Sequence, residues 1–136
     1  MVIAIAAVYK LGLTQLGIET AFLAQPIDRE ILIHRPDGFD DVVLDGYCIS
    51  LHKSLYGLVQ SPFLFSRGLD AHLRKIGFKQ LQSDPCIYIR RRSETDVTII
   101  GCVVDDMIVA HSRPVDTLVK ELEQRYSMSN EGTLKF

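Results

Sequence analysis

Two adjacent aspartates, Asp105 and Asp106, separate two apolar runs in the stretch TIIGCVVDDMIVA. Each run is long enough for a short strand, and an Asp-Asp pair between two strands is typical of a tight turn. The pattern therefore predicts a β-hairpin with both carboxylates at its tip. Two clustered carboxylates are the oxygen ligands that Mg²⁺ prefers, but acidic pairs are also common in solvated turns. The pattern by itself favours the solvated turn.

The length and composition indicate one globular domain. The chain has 136 residues, of which 47% are hydrophobic, enough for a packed core. Its 15 basic and 17 acidic residues give a formal net charge of -2. No overall positive field therefore marks a nucleic-acid or anionic-membrane partner. Charge neither establishes nor excludes such a partner.

The cysteines and the apolar runs indicate the cellular setting. Cys48, Cys86 and Cys102 are odd in number, far apart and without a C-x-x-C pair, so neither a disulfide framework nor a zinc site is predicted. A reduced, intracellular setting is the simpler interpretation. The N-terminal run VIAIAAVY is too short to span a bilayer and lacks the basic start of a signal peptide. We therefore expect a soluble protein with no membrane partner.

Hydrophobic periodicity predicts the elements in the order helix, strand, small β unit, helix, strand, hairpin, helix. The first helix, VIAIAAVYKLG, is expected to be buried and to be closed by Gly12. The segment LTQLGIETAFL is a strand that runs into a turn or helix, with Gly17 inside it. Amphipathic helices are predicted in SPFLFSRGLDAHLRKI and VDTLVKELEQRY, and CIYIRRR is a strand. Helices on one face of an antiparallel sheet make an α+β fold.

Four sequence blocks resemble one known family. In order along the chain they are QLGIETAFL, LHKSLYGLVQSPFLF, GFKQLQSDPCIYI and VVDDMIVA. Each is weakly specific alone, but as an ordered set they closely resemble the reverse transcriptase of Ty1/copia-type retrotransposons, from about Ile3 to Phe136. The resemblance implies a polymerase palm-like antiparallel sheet with helices on one face and a small β insertion from the fingers. It also implies one partial domain over residues 1–136, without the thumb and RNase H.

The resemblance implies a chemistry for the aspartate pair. Members of the family are RNA-directed DNA polymerases that hold two Mg²⁺ ions between palm aspartates, where the ions activate the primer 3′-hydroxyl and steady the leaving pyrophosphate. Asp105 and Asp106 match the family's hairpin aspartates and are implied to be catalytic metal ligands. The implied partners are an RNA or DNA template with its primer, deoxynucleoside triphosphates and the remainder of a retrotransposon polyprotein. The implied location is a cytoplasmic virus-like particle.

The chain departs from the family at the first strand. The family pattern, like QLDVKTAFL, carries a third metal-binding aspartate where this chain has Gly17. Glu19 lies two residues further on, on the same face of a strand, but its Cα is displaced by roughly 6.6 Å. Metal–ligand distances tolerate errors of only about 0.2 Å. We therefore expect weak Mg²⁺ binding and poor or absent polymerisation.

Four further positions match nucleotide-binding positions of the family. Thr20 and Ala21 match a turn whose backbone amides resemble a triphosphate cradle. Phe22 matches an aromatic gate that selects against a 2′-hydroxyl, and the alternative is a plain core aromatic. Gln60 resembles a glutamine beside the incoming nucleotide, and the alternative is a water-exposed residue at the start of a helix.

Other positions leave a second hypothesis open. Val59, Phe63 and Val103 stand where the family commonly has lysine, arginine and tyrosine, which removes groups that could contact nucleic acid. The alternative function is a non-catalytic nucleic-acid or protein-binding module derived from the palm. An RNA binder of this kind would show aromatic residues on exposed strands, and Tyr88 is one candidate. The triplet Arg90–Arg92 could contact a nucleic-acid backbone but is more typical of a solvated hairpin. The polymerase hypothesis explains four motifs, whereas the binding module explains only the architecture.

Overall fold

The computed structural model describes residues 1–39 and 46–134. Within them lie three α-helices, eight β-strands and one 3₁₀-helix. The α-helices are α1 (Val2–Tyr9), α2 (Ser61–Lys75) and α3 (Asp116–Glu123). The strands are β1 (Gly12–Glu19), β2 (Leu32–Ile33), β3 (Ile49–Ser50), β4 (Lys79–Gln80), β5 (Ile87–Ser93), β6 (Asp96–Val103), β7 (Asp106–His111) and β8 (Ser127–Thr133). The 3₁₀-helix spans Ala21–Ala24.

Six of the strands form one antiparallel sheet in the order β4-β5-β6-β7-β1-β8. The strands β2 and β3 form a separate antiparallel pair. Strand β1 thus lies inside the sheet, between β7 and β8. The predicted α+β class, the antiparallel sheet and the small β unit are confirmed. The sequence does not predict two of the strands, β4 and β8.

The helices lie on both faces of the sheet, so the prediction of helices on one face is wrong. Alternate side chains of a strand point to opposite faces. Leu16 of β1 and Met107 of β7 belong to the core cluster that α2 and α3 cover. Leu13 and Ala110 of the same strands belong to the cluster that α1 covers. Both faces of these central strands are apolar, and each face therefore has a cover of its own.

Helix α1 buries only a narrow stripe of its surface. Val2 and Ala6 are buried, whereas Val8 is 74% exposed and Tyr9 is 72% exposed. The prediction of a buried helix is therefore wrong for most of its positions. Its sequence is apolar all round, so the pattern could not show which side packs on the sheet.

The end of α1 differs from the prediction that Gly12 closes the helix. Lys10 takes the left-handed conformation, with a φ of 52°. The amides of Lys10 and Leu11 both donate to the Ala6 carbonyl, and such bonds complete a helix end. Gly12 is instead the first residue of β1.

The two amphipathic helices form as predicted. Helix α2 has Pro62 in its first turn. Proline has no backbone N–H, but the N–H groups of the first turn have no partner within the helix, so no helical hydrogen bond is lost. The chain leaves the helix through Gly77, whose φ of 92° suits glycine. Leu73 of α2 and Leu122 of α3 are buried in one core cluster. No helix in the described part of the chain is long and apolar enough to cross a membrane.

The basic triplet of β5 joins the sheet to α3. Arg90 is buried, and its guanidinium donates to the Glu121 carboxylate at 2.6 Å and to the Ile76 carbonyl at 2.9 Å. Arg92 donates to the other carboxylate oxygen of Glu121, also at 2.6 Å. Both arginines thus pair with Glu121, but Arg90 is buried whereas Arg92 is exposed. The interpretation of the triplet as a solvated hairpin is wrong for Arg90, because α3 brings a carboxylate across the strand.

A buried glutamine joins the segment after the 3₁₀-helix to α2 and to the residues that follow α3. Gln25 is 3% exposed. Its amide nitrogen donates to the Tyr126 hydroxyl at 3.2 Å, and its amide oxygen accepts from the Arg125 guanidinium at 2.9 Å. The same side chain lies against Gly68 of α2, where a Cβ would come within 2.5 Å of Gln25 Cδ and Nε2. Gly68 therefore leaves the space that Gln25 fills.

We predict that Gly68→Ala destabilises the fold. Alanine is favoured over glycine in a helix by about 1 kcal/mol, but overpacking a core typically costs about 1–3 kcal/mol. The free energy of unfolding, measured in urea, should therefore fall by roughly 1 kcal/mol or more. In a Gln25→Ala background the clash is absent, so the same substitution should stabilise the chain. A stabilising effect in the unmodified chain would contradict this packing.

Candidate active site

The strands β6 and β7 form a hairpin with a two-residue turn. Val103 pairs with Asp106, so Val104 and Asp105 are the central turn residues. Asp106 is the first residue of β7, and the prediction that both carboxylates occupy the tip is wrong for this one. Val104 has a φ of 56°, which β-branched residues rarely adopt. The favoured two-residue hairpin turns need a positive φ at their first central residue, so strand pairing imposes this conformation on a valine.

The central strand β1 holds this hairpin in place. The Ile18 amide donates to the Asp105 carbonyl at 2.8 Å. One residue earlier, Gly17 pairs directly with Asp106. Leu16 and Ile18 are buried on the face that α2 and α3 cover. Gly17, which lies between them, faces the opposite side of the sheet together with its partner Asp106.

On its other edge, Gly17 pairs with Ser129 of β8. A Cβ at position 17 would lie 2.5 Å from the Ser129 hydroxyl oxygen and 3.9 Å from the Ser129 Cβ. The hydroxyl can turn away by rotation about a single bond. The Ser129 hydroxyl thus occupies the space beside Gly17 in one rotamer only. An aspartate is compatible with position 17 once this hydroxyl rotates.

Glu19 does not take the place of the absent carboxylate. It pairs with Ser127 of β8, whose hydroxyl donates to the Glu19 carboxylate at 2.6 Å. Strands β8 and β7 lie on opposite edges of β1, so this bond directs Glu19 away from Asp106. Residues 1–39 and 46–134 contain no group of three or more His, Cys, Asp or Glu side chains that could hold a metal ion. The two carboxylates that remain do not fit a two-metal centre.

The turn after β1 lies at the same end of the sheet as the aspartate hairpin. Thr20 follows β1 directly and has a φ of 48°, in the left-handed region. Its carbonyl accepts from the Leu23 amide at 2.9 Å, which begins the 3₁₀-helix. Ala21 and Phe22 are buried in the core. The role of Thr20 and Ala21 as a triphosphate cradle stays a prediction.

Phe22 and Gln60 lie on two segments that pack together. The Phe22 ring contacts the Tyr56 ring at a centroid distance of 4.5 Å and the Phe65 ring at 6.0 Å. The ring is thus packed as a core aromatic, and its role as a gate stays a prediction. Gln60 precedes α2, is partly exposed and makes no side-chain cap to the helix. Its contact with a nucleotide also stays a prediction.

The positions that differ from the family expose apolar side chains. Val59 is 95% exposed, Phe63 60% and Val103 72%. Pro62 at the start of α2 and Val104 in the hairpin turn line one apolar cleft. The start of α2 therefore adjoins the aspartate hairpin across this cleft.

A comparison with models of protein families decides the family. Residues 1–136 match the model described as Reverse transcriptase (RNA-dependent DNA polymerase). The chain belongs to the reverse transcriptase family. The match covers the aspartate hairpin, the turn after β1 and the start of α2, which are the segments that carry the sequence motifs.

The curated relatives of this reverse transcriptase domain are transposon proteins. The chain is 34% identical over 133 residues to the retrovirus-related Pol polyprotein from transposon TNT 1-94 of Nicotiana tabacum. This match covers 96% of the chain and 10% of the polyprotein. It is 33% identical over 119 residues to the transposon Ty5-1 protein of Saccharomyces cerevisiae. This second match covers 86% of the chain and 38% of that protein. The chain therefore spans a minor part of each relative. The resemblance to Ty1/copia-type reverse transcriptases is confirmed.

The structure brings the motifs together and adds one residue to them. Asp105, Asp106 and Gly17 adjoin at one end of β1, and the turn that begins at Thr20 follows at the same end. Ser129 is the residue that the sequence does not reveal, because its strand SMSNEGT is polar and without alternation. Only an indirect signal predicts that a further strand lies beside β1. A strand that is apolar on both faces, such as β1, is typical of a sheet interior with neighbours on both edges.

We predict that Gly17→Asp makes the stability of the fold depend on Mg²⁺. A carboxylate at position 17 would lie opposite Asp106, and like charges on directly opposed residues destabilise strand pairs by roughly 0.2–1 kcal/mol. Mg²⁺ that binds the folded chain between them should offset this cost. The free energy of unfolding, measured in urea with and without the ion, should therefore rise when Mg²⁺ is added.

Gly17→Asn is the matched control for this substitution. It requires the same rotation of the Ser129 hydroxyl but adds no charge. Its free energy of unfolding should respond to Mg²⁺ no more than that of the unmodified chain. Equal responses of the aspartate and asparagine variants would contradict a metal site at this position.

Proposed function

We propose that this chain is the palm, with part of the fingers, of an RNA-directed DNA polymerase whose metal centre is incomplete. The observation that carries the proposal is the pairing of Gly17 with Asp106 on the central strand. The family carries its third metal-binding aspartate at the position of Gly17, and a glycine has no side-chain oxygen to replace it. The chain is accordingly inactive, or very weakly active, as a polymerase.

The architecture supports the assignment of palm and fingers. In this proposal the six-stranded sheet is the palm, and the β2–β3 pair is the small insertion from the fingers. The insertion leaves the sheet after the 3₁₀-helix and returns before α2. Its base is closed by a bond from the Ile27 amide to the His52 carbonyl and by a bridge between Pro26 and Lys53. The thumb and RNase H belong to other parts of the polyprotein in this assignment.

The proposed partners follow from the same assignment. A template with its primer would lie along the sheet face that carries Asp106, beyond the part that α1 covers. A deoxynucleoside triphosphate would reach the turn at Thr20, Ala21 and Phe22. The two remaining carboxylates would hold Mg²⁺ weakly, since this ion keeps most of its bound waters. The setting would be a retrotransposon polyprotein in a cytoplasmic virus-like particle.

The alternative, a non-catalytic binding module, loses its candidate stacking residue. Tyr88 is 3% exposed. Its hydroxyl donates to the Asp70 carboxylate at 3.2 Å and accepts from the Gln80 amide at 3.2 Å. The prediction that Tyr88 offers an exposed ring is therefore wrong, because its side of β5 is the side that α2 covers. The alternative then has only the architecture in its favour.

We predict that Gly17→Asp raises Mg²⁺-dependent primer extension on an RNA template. Charge stabilisation by a correctly held metal is worth several kcal/mol, and each 1.4 kcal/mol or so is a factor of ten in rate. We therefore expect a gain on the order of 100-fold or more over the unmodified chain. The measurement is the initial rate of deoxynucleotide incorporation, with circular dichroism as the check that each variant is folded.

Two matched variants sharpen this test. Gly17→Asn should give no gain, because it restores size but supplies no carboxylate. Asp105→Asn in the Gly17→Asp background should remove the gain, because it takes away a hairpin ligand. Extension by the unmodified chain at the rate of the Gly17→Asp variant would contradict the proposal. Folded variants without any extension would contradict Gly17 as the limiting residue and would leave the binding module open.

A further inference from the structure

Two of the three cysteines meet across the β5–β6 pair, although they are far apart in the sequence. Ile87 pairs with Gly101, and the Cys102 amide donates to the Cys86 carbonyl at 2.8 Å. Cys86 therefore lies directly opposite Cys102, one residue beyond the pair Ile87–Gly101 at the end of the β5–β6 pairing. Directly opposed residues present their side chains on the same face of the sheet. Consistent with this, both cysteines line the apolar cleft between the sheet and Pro62 of α2.

The spacing of opposed residues suits a disulfide. The Cα atoms of such residues lie about 4.5–5.5 Å apart in an antiparallel pair, within the range of about 4.4–6.8 Å that a disulfide spans. Cys86 also lies in the turn that precedes β5, where its own amide donates to the Asp84 carboxylate at 2.9 Å rather than to β6. Its backbone is therefore bonded to β6 by one hydrogen bond only and can adjust to the shorter distance between bonded sulfur atoms.

The two thiols differ in access to solvent. Cys86 is exposed, whereas Cys102 is 9% exposed. Burial raises the pKa of the Cys102 thiol to about 12, and the charge of the nearby Cys86 adds to the rise. Cys102 thus stays protonated at neutral pH, and Cys86 is the thiol that a dissolved oxidant reaches first.

We propose that Cys86 and Cys102 are a redox pair that forms a reversible disulfide with a peroxide as oxidant. The Cys86 thiolate attacks one peroxide oxygen, the O–O bond breaks, and Cys86 becomes a sulfenic acid as hydroxide leaves and is protonated to water. The Cys102 sulfur then attacks the Cys86 sulfur. The S–S bond forms, the S–O bond breaks, and the hydroxyl leaves as water with the Cys102 proton. In total the two thiols lose two hydrogen atoms, and the peroxide becomes two molecules of water. A dithiol reductant reverses the change by exchange.

The position of the pair gives the disulfide a local consequence. Cys102 is followed directly by Val103, which pairs with Asp106 at the base of the aspartate hairpin. The bond would tie the end of β6 to the turn before β5 and so restrain the hairpin. This inference goes beyond the proposed function and does not depend on it, because it concerns thiols and not metal ligands.

The test is to treat the folded chain with hydrogen peroxide, quench with catalase, alkylate the free thiols and map the unreduced peptides by mass spectrometry. We expect the Cys86–Cys102 peptide pair to exceed every link to Cys48 by on the order of tenfold or more, because neighbouring groups react at high effective molarity. Cys48 should remain outside any disulfide. In urea the preference for this pair should fall to the few-fold advantage of its shorter loop.

Single variants provide the controls. Cys48→Ser should leave the yield of the linked peptide unchanged, whereas Cys86→Ser should abolish it and leave Cys102 reduced. If a variant at the buried Cys102 fails to fold, the yield of the linked peptide from the unmodified chain still tests the proposal. Accumulation of sulfinic acid at Cys86 with Cys102 still reduced would overturn the proposal, as would a folded chain whose main link involves Cys48.

Discussion

The pairing of β1 on both of its edges is the constraint on which the rest of the structure depends. A shift of one residue in either pairing would turn Leu16 and Ile18 out of the core, and these side chains are 0% and 3% exposed. The register is therefore fixed by burial, not by the residue between them. That residue, Gly17, must face Asp106 on one edge and Ser129 on the other. The fold thus determines the surroundings of position 17 independently of the side chain there.

The magnitudes explain how such a change is compatible with a stable fold. Glycine in a strand interior costs roughly 0.5–1 kcal/mol in conformational entropy. An aspartate beside Asp106 would cost roughly 0.2–1 kcal/mol in charge repulsion without a metal. The two terms nearly cancel, so stability alone exerts little preference at position 17. Under the proposed function, metal-ion chemistry distinguishes glycine from aspartate at this position by several kcal/mol. Folding and catalysis therefore place very different demands on this residue.

The sequence predicts those parts of the structure that their own side chains decide. Helices α2 and α3 carry apolar residues at helical spacing, and the apolar runs around Asp105 form strands, as found. Strand β8 is polar, and its structure comes from the hydrogen bonds of β1, which no local pattern reports. Tyr88 is buried because α2 packs on its side of the sheet. The sequence of β5 does not show which side α2 covers, since this depends on tertiary packing. The motifs place Gly17 beside the aspartates, but the direction of Glu19 depends on Ser127 across the sheet.

The segments around Gly17 and the aspartate hairpin are held by buried hydrogen bonds. The Ser54 amide donates to the Gln25 carbonyl at 2.9 Å, and the buried hydroxyls of Ser54 and Ser61 are hydrogen-bonded to each other. These bonds hold the segments that carry Phe22 and Gln60. An unpaired buried polar group costs about 1–3 kcal/mol, so folding alone preserves this framework. The turn at Val104 is also strained, at a typical cost of about 1–3 kcal/mol. These contacts fix the segments around Gly17 without any side chain at that position.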